Sequence, residues 1–176
     1  HNCFQLDISD KDQVQNTIED AISSLGGLDI VINNAGIFIE HPIFEVTYDG
    51  WQDSWNSTVE TNLIGPANVC YIAGSYFKKK KKGKIINISS RGANRGEPTA
   101  PAYGASKAGL NALSQSLAIA LAPYNIFVGV VAPGFVETDM TTEILSSSTG
   151  DIIKNQSPMN RVGQPEEIAN AVMMMA

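Results

Sequence analysis

The sequence predicts an α/β fold built on a doubly wound parallel sheet, with helices on both faces. Three observations predict it. Four short runs are apolar throughout rather than alternating, the pattern of strands buried on both sides. Between them lie stretches with apolar residues three and four apart, so each connection reads as a helical crossover of right-handed sense. The runs stop at small, polar or turn-forming residues, and in such sheets ligands sit beyond the carboxyl ends of the strands.

The first run is Cys3-Phe4-Gln5-Leu6-Asp7-Ile8, read as a strand. Ser9-Asp10 then stands where a helix N-cap belongs, before Val14, Ile18, Ala21 and Ile22 at helical spacing. Gly26-Gly27 ends that helix. Leu28-Asp29-Ile30-Val31-Ile32 is the second strand, closed by Asn33-Asn34-Ala35-Gly36. Trp51, Trp55, Val59, Leu63, Ala67, Cys70, Ala73 and Phe77 mark one long helix from Asp49 to Phe77. Gly83 to Ile88 is the third strand, Ala102 to Ala122 a helix, and Phe127 to Val131 the fourth strand, ended by Ala132-Pro133-Gly134. Gln164-Pro165-Glu166-Glu167 opens a last helix with proline and acids in its first turn. The stretch from Met140 to Pro158, polar at Ser146-Ser147-Ser148, reads as a mobile lid that sets specificity.

The chain of 176 residues, 43% hydrophobic, is long enough for one domain spanning 1–176 and too short to expect two. A net charge of −6 argues against nucleic acid or an anionic membrane as partner. The basic tract Lys78–Lys82 reads as the solvated last turn of a helix, where cations oppose the negative end of the dipole. Cys3, Cys70, His1 and His41 show no metal-ligand spacing, and two distant cysteines give no disulfide framework. No metal is expected, and a reducing cytoplasm fits. No apolar run approaches the ~18 residues of a membrane helix.

The chemistry is sought at the strand ends. Asn34, Ala35 and Gly36 allow a flat ligand to approach the backbone closely, although a plain strand-to-loop turn has the same composition. After the third strand comes Ser90. Tyr103 stands thirteen positions later, and Lys107 follows it by one helical turn. Residues four apart share a helix face, which brings the ammonium to about 6 Å from the phenol stem. A free phenol titrates near ~10, and lowering that by ~3 needs about 4 kcal/mol of differential interaction, which a nearby cation favours. Tyr103 is therefore a candidate general acid and base. Tyr76 and Lys80 match the same spacing, but Leu63 stands where the serine would be and the lysine belongs to the solvated tract.

In this order, Asp7-Ile8, Asn33-Asn34-Ala35-Gly36, Asn62, Ser90, Tyr103-Gly104-Ala105-Ser106-Lys107 and Pro133-Gly134-Phe135-Val136-Glu137-Thr138 resemble the short-chain dehydrogenase/reductase family. Its 3-oxoacyl-carrier-protein-reductase-like members are the most similar, on Pro133-Gly134-Phe135-Val136-Glu137-Thr138-Asp139-Met140 and Arg161-Val162-Gly163-Gln164-Pro165. The resemblance implies a Rossmann-like domain and NAD or NADP as cofactor. It assigns the substrate oxygen to Ser90, the proton to Tyr103, the nicotinamide ribose and the tuning of the tyrosine to Lys107, and a water relay to Asn62. It further implies a helix kink at Asn62, which otherwise reads as a polar residue interrupting a helix face. Asp7 and Ile8 would meet the adenine, although Asp7 also suits a helix N-terminus. Asn34, Ala35, Gly36, Pro133, Gly134, Val136 and Thr138 would line the cofactor, and homodimers or homotetramers would form on the two long helices. The family's glycine-rich turn, Thr-Gly-x-x-x-Gly-x-Gly, does not occur here, nor does its last strand, so the domain is expected to be incomplete at both ends.

These features predict an oxidoreductase interconverting a secondary alcohol and a ketone on a small-molecule substrate. A non-catalytic nucleotide-binding or scaffold protein, or a truncated inactive product, are the alternatives; the intact Ser90, Tyr103 and Lys107 set opposes the first of these.

Overall fold

A computed structural model describes residues 2–176, with the backbone alone at Met140. His1, read above as lacking metal-ligand spacing, lies outside the described residues. The elements in order are α1 (Lys11–Leu25), β1 (Ile30–Asn33), α2 (Tyr48–Val59), a π-helical turn (Glu60–Ile64), α3 (Gly65–Lys80) and β2 (Gly83–Ile88). A 3₁₀ turn (Arg91–Ala93), α4 (Pro101–Leu121), β3 (Ile126–Val131), α5 (Asp139–Ser146), α6 (Gly150–Asn155) and α7 (Pro165–Met175) complete the chain.

The three strands are parallel in the order β1-β2-β3, with Val31 beside Ile85 and Ile85 beside Val128. Both crossovers step in the same direction, so their right-handed sense puts α3 and α4 on one face, where α1 joins them. There Cys70, Ala73 and Phe77 of α3 bury against Ile85, Ile126 and Val128. The opposite face is served by α7, whose Met175 lies over Gly129 while Lys84 Nζ bonds the Ala176 carbonyl. Helices thus occupy both faces as expected. Cover on the α7 side does not reach β1, where Ile30 and Ile32 remain 38% and 47% exposed.

One predicted element is corrected. Cys3–Ile8 forms no strand. A strand exists through its ladder, and β1, the edge of the described sheet on that side, pairs only with β2. Ile8 is still docked: its carbonyl and side chain press on Gly65, where a Cβ would stand 2.6 Å from the Ile8 oxygen.

Local signals explain the other boundaries. Asp10 caps α1 by accepting from the amides of Asp12 and Gln13, and Gly26 closes it with φ 71°. The lysine tract forms the last turn of α3. The stretch read as a lid is two short helices, the first begun by a reciprocal Thr138–Thr141 capping arrangement.

Gly83 begins β2 directly over the buried Phe77 ring, whose carbons lie 2.2–2.5 Å from where a Cβ would stand. Gly83→Ala is therefore expected to destabilise the fold by about 1–3 kcal/mol through overpacking. Denaturant unfolding checks this, and an unchanged midpoint contradicts it.

Candidate active site

The site forms where β2 ends. Ser89 and Arg91 continue the β2–β3 pairing by donating to the carbonyls of Val131 and Pro133, at 2.8 Å each, which sets the Pro133-Gly134 loop beside Ser90. Ser90 itself has extended backbone, and its Oγ accepts the Gly92 amide at 3.1 Å, capping the 3₁₀ turn. The turn returns the chain to α4, which starts at Pro101 and carries Tyr103 and Lys107 on one face.

Lys107 is 4% exposed, and its ammonium donates to the Ile88 carbonyl at 2.9 Å. No ion pair joins it to a carboxylate among the described residues. Burial alone pushes its pKa from 10.5 down to about 8. The ammonium lies 5.9 Å from the centroid of the Tyr103 ring.

Tyr103 departs from the expectation of a lowered pKa. Burial of the phenol raises it, with hydrogen bonding by Ser90 working the other way and the charge of Glu97 adding to the rise. The neighbouring cation does not reverse this, because desolvation penalises the phenolate more than an ammonium at this distance rewards it. Phe38 adds cover: its ring meets Tyr103 edge-on, with centroids 5.0 Å apart.

Asn62 lies within the π-helical turn, where the Gly65 amide reaches back to the Glu60 carbonyl. The long helix is thus distorted at this asparagine, as the resemblance implies. Its fully buried side chain clasps one residue of the loop after β1: Oδ1 accepts the Ile37 amide at 2.8 Å and Nδ2 donates to the Ile37 carbonyl at 2.9 Å. Nδ2 also reaches Ser106 Oγ at 3.3 Å. A Cβ on Gly36 would stand 3.3 Å from Asn62 Oδ1 and 3.4 Å from Lys107 Nζ, so the loop passes directly over both. Asn34 and Ala35 beside it are exposed.

The structure therefore gathers Ser90, Tyr103, Lys107, Asn62 and Gly36 at one strand end, with Pro133 and Gly134 on the neighbouring one. Nothing lies within 4 Å of the space a Gly134 Cβ would occupy. Val136 bridges to Gly163, and its carbonyl accepts from Thr141 Oγ1; Thr138 caps α5. Asp7 stands apart on an exposed turn, where Ser9 holds its carboxylate and lowers its pKa. Tyr76 and Lys80 lie at the opposite end of the sheet, with Lys80 paired to Asp29 just before β1.

Spacing did not disclose His41. It is fully buried, its Nδ1 lies 2.8 Å from the Ile39 carbonyl, and its Nε2 accepts the Ala102 amide at 3.3 Å. The β1 loop is thereby tied to the start of the helix carrying Tyr103. A single histidine before a proline carries no local signal of that contact.

A nicotinamide dinucleotide suits these residues. An ammonium with one protein acceptor retains two N–H donors for ribose hydroxyls, Gly36 keeps the adjacent surface flat, and Gly134 leaves open space.

A family model described as enoyl-(acyl carrier protein) reductase matches residues 1–176. The 3-oxoacyl-[acyl-carrier-protein] reductase FabG of Thermotoga maritima is 34% identical over 173 residues, 98% of this chain and 68% of that protein. Carbonyl reductase family member 4 of Xenopus laevis is 34% identical over 175 residues, 99% of this chain and 71% of that one. Among solved structures, ElxO with NADP bound superposes with a TM-score of 0.89 at 28% identity, covering 98% of this chain and 69% of its own.

The buried ammonium has a signature in stability. Below pH 8 the folded state carries the full desolvation penalty; from about 8 to 10.5 the unfolded chain binds more protons, so stability rises with pH; above that window both forms are neutral. Relative to Lys107→Met, the wild-type unfolding free energy is expected to climb through this window by on the order of 3 kcal/mol. Denaturant titrations from pH 7 to 11 measure the difference, and a difference that does not vary with pH contradicts it.

Proposed function

The chain belongs to the short-chain dehydrogenase/reductase family of NAD(P)-dependent oxidoreductases, and on that premise we propose that it interconverts a secondary alcohol and a ketone, with Tyr103 as general acid and base. The observation that carries this reading is the convergence of Ser90, Tyr103, Lys107 and Asn62 at the end of β2 around a buried ammonium with donors to spare.

NAD or NADP, when bound, supplies the hydride acceptor or donor. Everything else falls to the chain. In reduction, the Ser90 hydroxyl holds the carbonyl oxygen and the Tyr103 hydroxyl gives that oxygen its proton. Burial favours the protonated phenol, so Tyr103 starts in the form that can donate. Once the proton has gone, the Lys107 ammonium on the next helical turn stabilises the phenolate, and its free N–H groups hold the cofactor ribose. Asn62 keeps Ile37 and Gly36 in place over the lysine and supports the water path that returns the proton. In oxidation the proton runs the other way, from carbinol to Tyr103.

Asp7, Ile8, Asn34, Ala35, Gly36, Pro133, Gly134, Val136 and Thr138 complete the cofactor groove in this reading. Free Cys3 and Cys70 suit a reducing compartment such as the cytoplasm. Among the described residues, no helix is long and apolar enough to cross a membrane.

Homodimers or homotetramers are proposed to form on α3 and α4, which carry the exposed apolar Tyr71 and Ile119. Light scattering of the full-length protein at micromolar concentration is expected to give a dimer or tetramer, and a strict monomer refutes it.

Tyr103→Phe is expected to lower turnover about 10²–10⁴-fold while leaving cofactor affinity within a few-fold, since only the transferable proton is lost. Steady-state kinetics with NADH and NADPH, together with cofactor titration, measure both. Turnover retained in the variant sinks the assignment.

A further inference from the structure

Arg91 follows Ser90 directly and opens the 3₁₀ turn. Its amide is fixed on the Pro133 carbonyl, and its guanidinium lies over the Phe135 ring, 4.3 Å from the centroid. From there Nη1 donates to Gln156 Oε1, at the C-terminal cap of α6, at 2.8 Å. Arg95 Nη1 reaches the same oxygen at 3.5 Å. One neutral amide oxygen therefore serves two cations.

The ion pairs among the described residues are Lys80–Asp29, Lys154–Asp151 and Arg161–Glu167, so neither Arg91 nor Arg95 has a carboxylate within bridging distance. The acid whose charge acts on Arg91 is Glu97, packed against Gly92 of the turn. One carboxylate against two guanidiniums leaves a net positive charge. Burial and then Arg95 push the Arg91 pKa downward, the direction expected of a desolvated cation beside another.

Drawing two like charges together with one of them partly desolvated costs free energy that a single amide oxygen does not return. An oxyanion returns it, because the planar guanidinium matches a carboxylate or phosphate in two parallel hydrogen bonds, and stacking on Phe135 holds that plane. We propose that Arg91 and Arg95 form an oxyanion site at the rim of the reaction centre, and that the substrate carries a carboxylate or phosphate group a few bonds from the reacting carbon. The Gln156 oxygen stands where one oxygen of that group binds. The substrate class rests on the oxidoreductase reading, since Ser90 fixes the reacting carbonyl next to Arg91; the anion site does not.

The test uses the full-length protein and two matched substrate pairs, acetoacetate against methyl acetoacetate and dihydroxyacetone phosphate against dihydroxyacetone, as oxidants of NADH or NADPH. In parallel, calorimetry of the cofactor-loaded protein compares malonate with neutral malonamide. The charged member of one pair is expected to show kcat/KM about tenfold or more above its neutral partner, with the ratio falling towards one in Arg91→Met and in the more exposed Arg95→Gln. Preference within the first pair identifies a carboxylate, and within the second a phosphate ester. Malonate is expected to bind the wild type in preference to malonamide and to lose that preference in Arg91→Met. Ratios near one in both pairs, or malonate binding that Arg91→Met leaves unchanged, overturn the proposal. Arginine-dependent malonate binding without oxidation of cofactor by these or any neutral ketone supports the anion site and removes the oxidoreductase reading instead.

Discussion

The site depends on one buried ammonium. Lys107 brings a positive charge to the end of β2 with a single protein acceptor among the described residues, the Ile88 carbonyl, and burial alone pushes its pKa down to about 8. Such a position is costly for a charged group. Its surroundings are shaped to keep it: Gly36 brings the loop after β1 against the ammonium without a side chain, and Asn62 holds that loop by both ends of its amide. The π-helical turn places Asn62 where it can do so, and Gly65, which follows the turn and begins α3, leaves room for Ile8.

The same desolvation governs Tyr103. A charge-pair argument from spacing expects Lys107 to depress the phenol, whereas burial outweighs the pair and raises it. Each partner is thus biased towards its neutral form, the lysine by falling and the tyrosine by rising. A phenol that keeps its proton suits the reductive direction, and a polarised substrate oxygen is what draws the proton away.

Much of this was legible in the sequence because it is local. The spacing from Tyr103 to Lys107 follows from helix geometry, the ends of β2 and β3 from their turn residues, and the first helix from Asp10 and Gly26. The two short helices α5 and α6 were not legible, because Met140 to Pro158 reads as a polar lid and the Thr138–Thr141 capping that starts α5 shows only in the folded chain. What stayed hidden is non-local. Cys3–Ile8 has the composition of a strand, but pairing needs a neighbour that periodicity cannot supply. His41 reaches across to Ala102, Phe38 covers Tyr103, and Arg91 meets Gln156 sixty-five positions away. Each joins segments that only the folded sheet brings together.

Desolvation, with no carboxylate partner among the described residues, sets the protonation of Lys107 and through it the character of the site. Carbon-13 NMR titration of the lysine Cε resonances in the cofactor-free protein, with Lys107 assigned from Lys107→Arg, measures this directly. The Lys107 midpoint is expected at about 8, well apart from the surface lysines. A midpoint at the ordinary lysine value of about 10.5 contradicts it.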